Sequence, residues 1–446
     1  MILSEKFMKG KTMMSEKVKG WVGFWSVIIL VTTVGGVGQD KADDMGGAKE
    51  RTQASQSFRR LPLQTYRDKM QAGWIGQMAG VTWGAPTEFK YNGIIIPQEQ
   101  MPAWEPNMIN NVFGQDDLYV EMTFLGSLEK YGLEVSSRQA GIDFANSRYE
   151  LWHANKAARD NLRQGIAPPD SSHPQFNPHA DDIDFQIEAD FAGLIAPGLA
   201  DGAIQLAEKF GRIMNYGDGL YGGQFVAAMY TEAFFENDPL KIVLSGLKAI
   251  PPQSQYAQAI RDTIVWYEQY SHDWQKTWRL INEKYQLNPD YRRFSCDKGD
   301  INIDAKINGA YIVMGLLYGG GDPDQTIIIA TRCGQDSDCN PSNAAGILFT
   351  TIGYANLPER FKKVNRSTRF SYTEYNFFDL INVSEKLTRH VVIHAEGRIE
   401  KGDEGEEIFV IPVLPVKTGS LEQSYQPGPI ANSRFTEAEM KLITKE

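Results

Sequence analysis

From about residue 60 to residue 385 the chain reads as a succession of helix-length segments, each bounded by Gly, Asp or Pro. Almost no stretch alternates apolar and polar residues as a half-buried strand does. Residues 65–81 place Met70, Trp74, Met78 and Val81 about one turn apart with Gly and Ala between them, an amphipathic helix built for close packing. Leu118, Met122, Leu125 and Leu128 share a face of a helix over 118–131 that Gly132 stops. Residues 138–160 and 203–215 read as helical, as does 224–235, opened by the glycine cluster GDGLYGG. One or two helices fit 256–285, and another fits 305–318. Asp322–Pro323 is a cap and first-turn pair for the helix that Gly334 ends, and Asn340–Pro341 repeats that start. Residues 92–115, rich in Pro and Asn, read as a loop. Near residue 390, HVVIHAEGRI and EEIFVIPVLPV alternate, with KGDEG as the turn between them. The expectation is an all-α domain over 61–385 followed by a small β-containing extension over 386–446.

The N-terminus reads as an address. Five lysines precede an uncharged apolar run, Trp21–Val37, shorter than a comfortable membrane span and ending in small residues. Residues 1–38 are expected to be a signal peptide and 39–60 a polar leader, which makes the protein exported, periplasmic or extracellular. The alternative is a single N-terminal membrane anchor. Three cysteines among 446 residues are too few and too odd in number for a disulfide framework, although a Cys333–Cys339 pair stays open. A net charge of −11 argues against a nucleic-acid partner, which needs a basic surface.

The residues that carry chemistry are acids at helix starts. Gln115-Asp116-Asp117 follows Gly114 and precedes one helix, and Gln335-Asp336-Ser337-Asp338 follows Gly334 and precedes another. Asp336 and Asp338 would diverge by about 200° on a helix, so they converge only in a loop. An Asp in such a place is first of all an N-cap, and the helix dipole itself disfavours a cation there. Four carboxylates from two loops exceed what capping needs, and hard divalent cations take oxygen ligands of this kind.

These segments, in the order Gly84-Ala85-Pro86-Thr87-Glu88, Gln115-Asp116-Asp117, GDGLYGG and GQDSDCNPSNAAGIL, resemble the ADP-ribosylglycohydrolase family over about residues 65–355. The resemblance implies an all-α bundle holding two Mg2+ or Mn2+ ions in a cleft and hydrolysis of an N- or O-glycosidic bond. It implies Gln115, Asp116, Asp117, Asp336 and Asp338 as metal ligands, with Glu88 and Asp117 catalytic. Its two motifs usually carry a threonine where this chain has Gln115 and Cys339, and a thiol suits magnesium poorly. A Gly-Asn-Gly segment common in the family is replaced by a run of acids between His179 and Gly198. Asp184, Glu188 and Asp190 from that run, with Asp218 and Tyr221, are the expected substrate contacts. A solvated acidic loop is the other reading of the run, and core packing is the other reading of Trp83, Trp104, Tyr119 and Tyr221. Export points to an ADP-ribosyl or related furanosyl substrate outside the cytoplasm. A non-catalytic carbohydrate-binding protein on the same fold is the alternative function.

Overall fold

The computed structural model describes residues 57–444; the expected signal peptide and most of the leader lie outside the described residues. Helices dominate. Strand β1 (Phe58–Pro62) leads into α1 (Leu63–Gly84), and α2 (Asp116–Tyr131), α3 (Ser137–Ala145) and α4 (His153–Arg163) follow. Two short helices, α5 (Asp184–Ile187) and α6 (Asp190–Leu194), occupy the acidic run. Then come α7 (Ala200–Gly211), α8 (Gly217–Ala233), α9 (Pro239–Leu247), α10 (Gln255–Gln269) and α11 (Trp274–Ile281). The bundle closes with α12 (Ala305–Gly319), α13 (Pro323–Arg332), α14 (Cys339–Ile352) and α15 (Phe377–His394). Strands β2 (Arg398–Lys401) and β3 (Glu407–Pro412) and a last turn, α16 (Glu437–Met440), complete the described chain. The fold is all-α with one small sheet, as the segment pattern predicts.

The centre of the bundle is the pairing of α1 with α14. Tyr66, Met70, Trp74 and Met78 of α1 are fully buried, and each such large apolar side chain stabilises the fold by about 1.5–3 kcal/mol. Close approach depends on missing side chains. A Cβ on Gly80 would sit 2.2 Å from the Pro341 carbonyl oxygen, and one on Gly84 would sit 2.2 Å from the Ser337 carbonyl oxygen. Only glycine lets the end of α1 lie against the Asp336–Asp338 loop at that distance.

Several boundaries differ from the sequence pattern. HVVIH continues α15 rather than starting a strand, because Leu387, Val391 and Val392 are buried at helical spacing. The sheet has the order β1-β3-β2, both pairs antiparallel. Its third strand therefore comes from residues 58–62, which straddle the expected leader and helical domain and carry no clear alternation. The stretch read as one helix over 138–160 is broken between α3 and α4. GDGLYGG lies inside α8 rather than before it. Two starts also shift toward the acids: α2 begins at Asp116 and α14 at Cys339. After β3 the chain runs back across the helices as an extended strap, held where Tyr221 donates to the Ser420 carbonyl at 3.0 Å and Asp170 accepts the backbone N–H groups of Ala431 and Ser433 at 2.8 Å each. Among the described residues no helix is long and apolar enough to cross a membrane.

Candidate active site

Helices α2, α4, α5 and α14 all point their N-termini at one cavity of about 440 Å³. Glu88, Gln115, Asp116, Asp184, Asp336 and Cys339 line it, with Phe89, Tyr119, Trp152 and His153 on the walls. The two acid motifs, more than 200 residues apart, therefore meet. The meeting is direct at the floor, where the Cys339 thiol donates to Asp117 Oδ2 at 3.2 Å.

Capping does not account for these acids. Gln115 is the N-cap residue of α2 and Asp338 that of α14, and neither side chain makes a cap hydrogen bond. Gly334, at φ +79°, turns the chain so that residues 335–338 form a loop. Gln335 pins that loop, accepting from the Asn302 backbone at 2.8 Å and donating to the Asp300 carbonyl at 2.9 Å. Thr87 and Ser337 share a 2.8 Å hydrogen bond that ties it to the end of α1. Asp336 and Asp338 are then side by side, and the ligand atoms of Asp336, Asp338 and Cys339 lie within 4.8 Å of one another.

The electrostatics are those of a site built around positive charge. Asp117, Asp336 and Asp338 are at least 97% buried. Asp117 Oδ1 and Asp336 Oδ1 receive no hydrogen bond. No lysine or arginine is among the residues lining the cavity. Burial first, then the charges of Asp116 and Asp338, hold the Asp117 carboxyl well above the usual carboxylate range. Burial and the neighbouring Asp338 do the same to Asp336, and Asp338 itself is pushed up to about 6. Glu88 stands at the rim, exposed as a residue, yet partial burial of its carboxyl and the charges of Asp338 and Asp116 push it up to about 8. Buried carboxylate oxygens without donors are costly unless a cation or proton compensates them. The donor set is hard oxygen, which suits Mg2+ or Mn2+.

The acidic run divides in two. Asp184 lines the cavity, held by the backbone N–H groups of Ala154 at 3.2 Å and Asn155 at 2.9 Å. Glu188, fully buried, takes a hydrogen bond from the Asn155 side chain, while its Oε2 has no partner. Asp184 and Glu188 stand at the two ends of α5, and Asn155 keeps the two acids together. Glu188 itself does not line the cavity, and neither do the other three expected substrate contacts. Asp190 accepts from Tyr230 and, at 2.7 Å, from Asn343, inside the helix packing. Asp218 accepts from the Tyr256 backbone at 3.1 Å, and burial holds its carboxyl above the usual range although buried Lys306 opposes that shift. Tyr221 holds the C-terminal strap through Ser420 and Glu422. All three acquire structural partners because α8 is buried on nearly every face.

Trp83 and Trp104 pack on one another and on Phe361, as core aromatics do. Tyr119 faces the cavity and donates to the Glu150 carbonyl at 3.2 Å. Trp152, 47% exposed at the mouth, and His153 escape sequence reasoning. Each is a single residue in a break between helices, with no spacing to mark it. All three cysteines are unpaired.

The ADP-ribosylglycohydrolase family model matches residues 62–385. A solved structure described as an ADP-ribosylglycohydrolase-related protein complex is similar at 13% identity and a TM-score of 0.47, covering 74% of this chain and 99% of that chain. No curated protein matches the chain. With the matched segment spanning both acid motifs and every cavity-lining residue, the chain belongs to the ADP-ribosylglycohydrolase family.

Proposed function

We propose that the protein is a glycoside hydrolase that uses two divalent cations, Mg2+ or Mn2+, to cleave an N- or O-glycosidic bond of an ADP-ribosyl or related furanosyl substrate. The observation that supports this most is the pair of buried oxygens, Asp117 Oδ1 and Asp336 Oδ1, that lack any donor beside a cavity large enough for a sugar. Asp116, Asp117, Asp336 and Asp338 would hold the cations, with the Gln115 carbonyl as a further oxygen at the rim. When bound, such ions orient sugar hydroxyls and lower the pKa of a bound water.

The chain's own groups have separable tasks. Glu88 stands at the rim, where a leaving group departs toward solvent, and is placed to exchange a proton with it. Tyr119, Phe89 and Trp152 offer flat faces for a sugar or base and exclude water from the glycosidic centre, which passes through an oxocarbenium-like state. Asp184 lines the cavity and contacts the substrate or a cation, while Glu188, buried behind it, supports that wall through Asn155. Cys339 orients Asp117 without being a ligand itself.

The deciding experiment is a screen of ADP-ribosylated and other furanosyl glycosides with and without added Mg2+ or Mn2+. Cation-dependent release of the sugar supports the reading. Tight glycoside binding with no turnover under any cation would instead identify a carbohydrate-binding protein on the same fold.

A further inference from the structure

Beside the hard-oxygen centre, but chemically unlike it, stand His153, His179, Asp182 and Cys296. They come from three separate stretches of chain, His179 and Asp182 sharing one, and one ligand atom from each residue lies within 4.8 Å of all the others. The Nδ1 atoms of both imidazoles face the same oxygen, Asp182 Oδ2, at 3.3 Å for His153 and 2.7 Å for His179. Asp182 is fully buried, and its other oxygen, Oδ1, has no hydrogen-bond partner. His153 Nδ1 is likewise buried without a well-formed hydrogen bond. Both imidazoles crowd one oxygen while the other is left without a donor, an arrangement that a cation at the centre of the four groups would satisfy.

The backbone holds these groups in place. His153 opens α4 at φ +41°, a conformation a histidine adopts only under constraint from its surroundings. Cys296 sits on a loop fixed from inside by Arg292, which donates to the carbonyls of Asp297 and Gly299 at 2.7 Å and of Ile301 at 2.8 Å. That loop is stitched to the second element of the cluster by the bridge between Asp182 and Asp304. Burial and the Asp182 charge hold the Cys296 thiol above its ordinary range in the ion-free chain, a bias that a bound cation reverses.

We propose that His153, His179, Asp182 and Cys296 bind one borderline-soft transition ion of the zinc class. Two imidazoles, one carboxylate and one thiolate form a four-ligand set of the kind Zn2+ takes, and it discriminates against Mg2+. Bonds of about 2.0–2.3 Å separate tetrahedral ligand atoms by roughly 3.3–3.8 Å, so small side-chain rotations close the observed cluster onto an ion. Because His153 also lines the cavity, the ion fixes that wall. It does not replace the cations of the acid motifs.

The test uses the full chain, reduced and stripped with a chelator, then titrated with Co2+ while thiolate-to-cobalt charge-transfer absorption is followed. The expected result is a band that saturates at one ion per chain and is displaced by Zn2+. It persists in Asp338→Asn and is lost in Cys296→Ser, and the His179→Ala chain, checked for retained helicity by circular dichroism, binds at least about tenfold more weakly. Absence of the band from the unaltered chain overturns the proposal. So does a band that survives Cys296→Ser, or one that disappears in Cys339→Ser and thereby belongs to the acid motifs. Glycoside turnover plays no part in this readout, so a protein without hydrolase activity can still pass it.

Discussion

The Cys339 thiol lies 3.2 Å from Asp117 Oδ2, joining two acid motifs 222 residues apart at the floor of one cavity. Everything proposed for the cavity follows from that meeting, because neither motif alone supplies more acids than a helix start can use. Restoring the hydroxyl of the usual family motif with Cys339→Thr keeps the contact and is expected to leave cation affinity equal or improved. Cys339→Ala removes it and is expected to weaken Mn2+ binding by about 10–100-fold. Calorimetric titration of the stripped protein distinguishes the two variants.

Removing a carboxylate separates stability from function. Asp117→Asn replaces a buried carboxyl, whose Oδ1 has no donor and whose ionisation burial opposes, with a group that cannot ionise, so the melting temperature without cations is expected to rise. The same change abolishes the cation-induced increase, which for the unaltered chain amounts to about 2.7 kcal/mol at a cation concentration of about 100 Kd. Thermal melts with and without Mn2+ measure both halves.

The acids also set the direction of pH dependence. Carboxyls ordinarily titrate near pH 4, whereas burial and mutual repulsion push Asp338 and Asp184 up to about 6, Asp190 to about 7, and Glu88 and Asp181 to about 8. Between those limits the unfolded chain has released protons that the folded chain keeps, so raising the pH favours unfolding. The ion-free protein is expected to lose stability steadily from about pH 4 to pH 8. Denaturant midpoints across that range check the slope, and saturating Mg2+ or Mn2+ is expected to flatten it by compensating the ionised carboxylates.

Glu88 has a kinetic signature. Glu88→Gln is expected to lower kcat by about 10²–10⁴-fold with little change in KM, and to remove the limb of the pH–rate profile that belongs to Glu88. Rate profiles on any substrate found in the glycoside screen test this.

The loop carrying Asp336 and Asp338 depends on an absent side chain. Gly84→Ala places a methyl 2.2 Å from the Ser337 carbonyl oxygen and 2.5 Å from Asp338 Cα. It is expected to cost about 1–3 kcal/mol of stability and, by displacing the loop, to weaken cation binding. Chemical denaturation and Mn2+ titration report the two effects.

What the sequence discloses and what it hides follow physical lines. The helices were legible because Asp322–Pro323, Gly132 and Gly334 mark ends chemically, and because faces such as Met70, Trp74 and Met78 repeat. The acid motifs were legible because four carboxylates at two glycine-flanked helix starts together exceed what capping needs. Asp190, Asp218 and Tyr221 misled because a buried acid or phenol reads alike whether its partner is a substrate or a neighbouring helix. Trp152, His153, His179 and Cys296 stayed hidden because each is one residue in one loop, made meaningful only by tertiary packing. Strand β1 was hidden for the same reason, since its partner β3 is more than 340 residues away in sequence.

The central claim is that Asp116, Asp117, Asp336 and Asp338 together enclose divalent cations. Crystals of the protein soaked in Mn2+ and measured for anomalous scattering test it most directly. Two peaks coordinated by oxygens of these four side chains are the predicted result. A cavity without any peak, in crystals grown where the carboxylates are ionised, would contradict it.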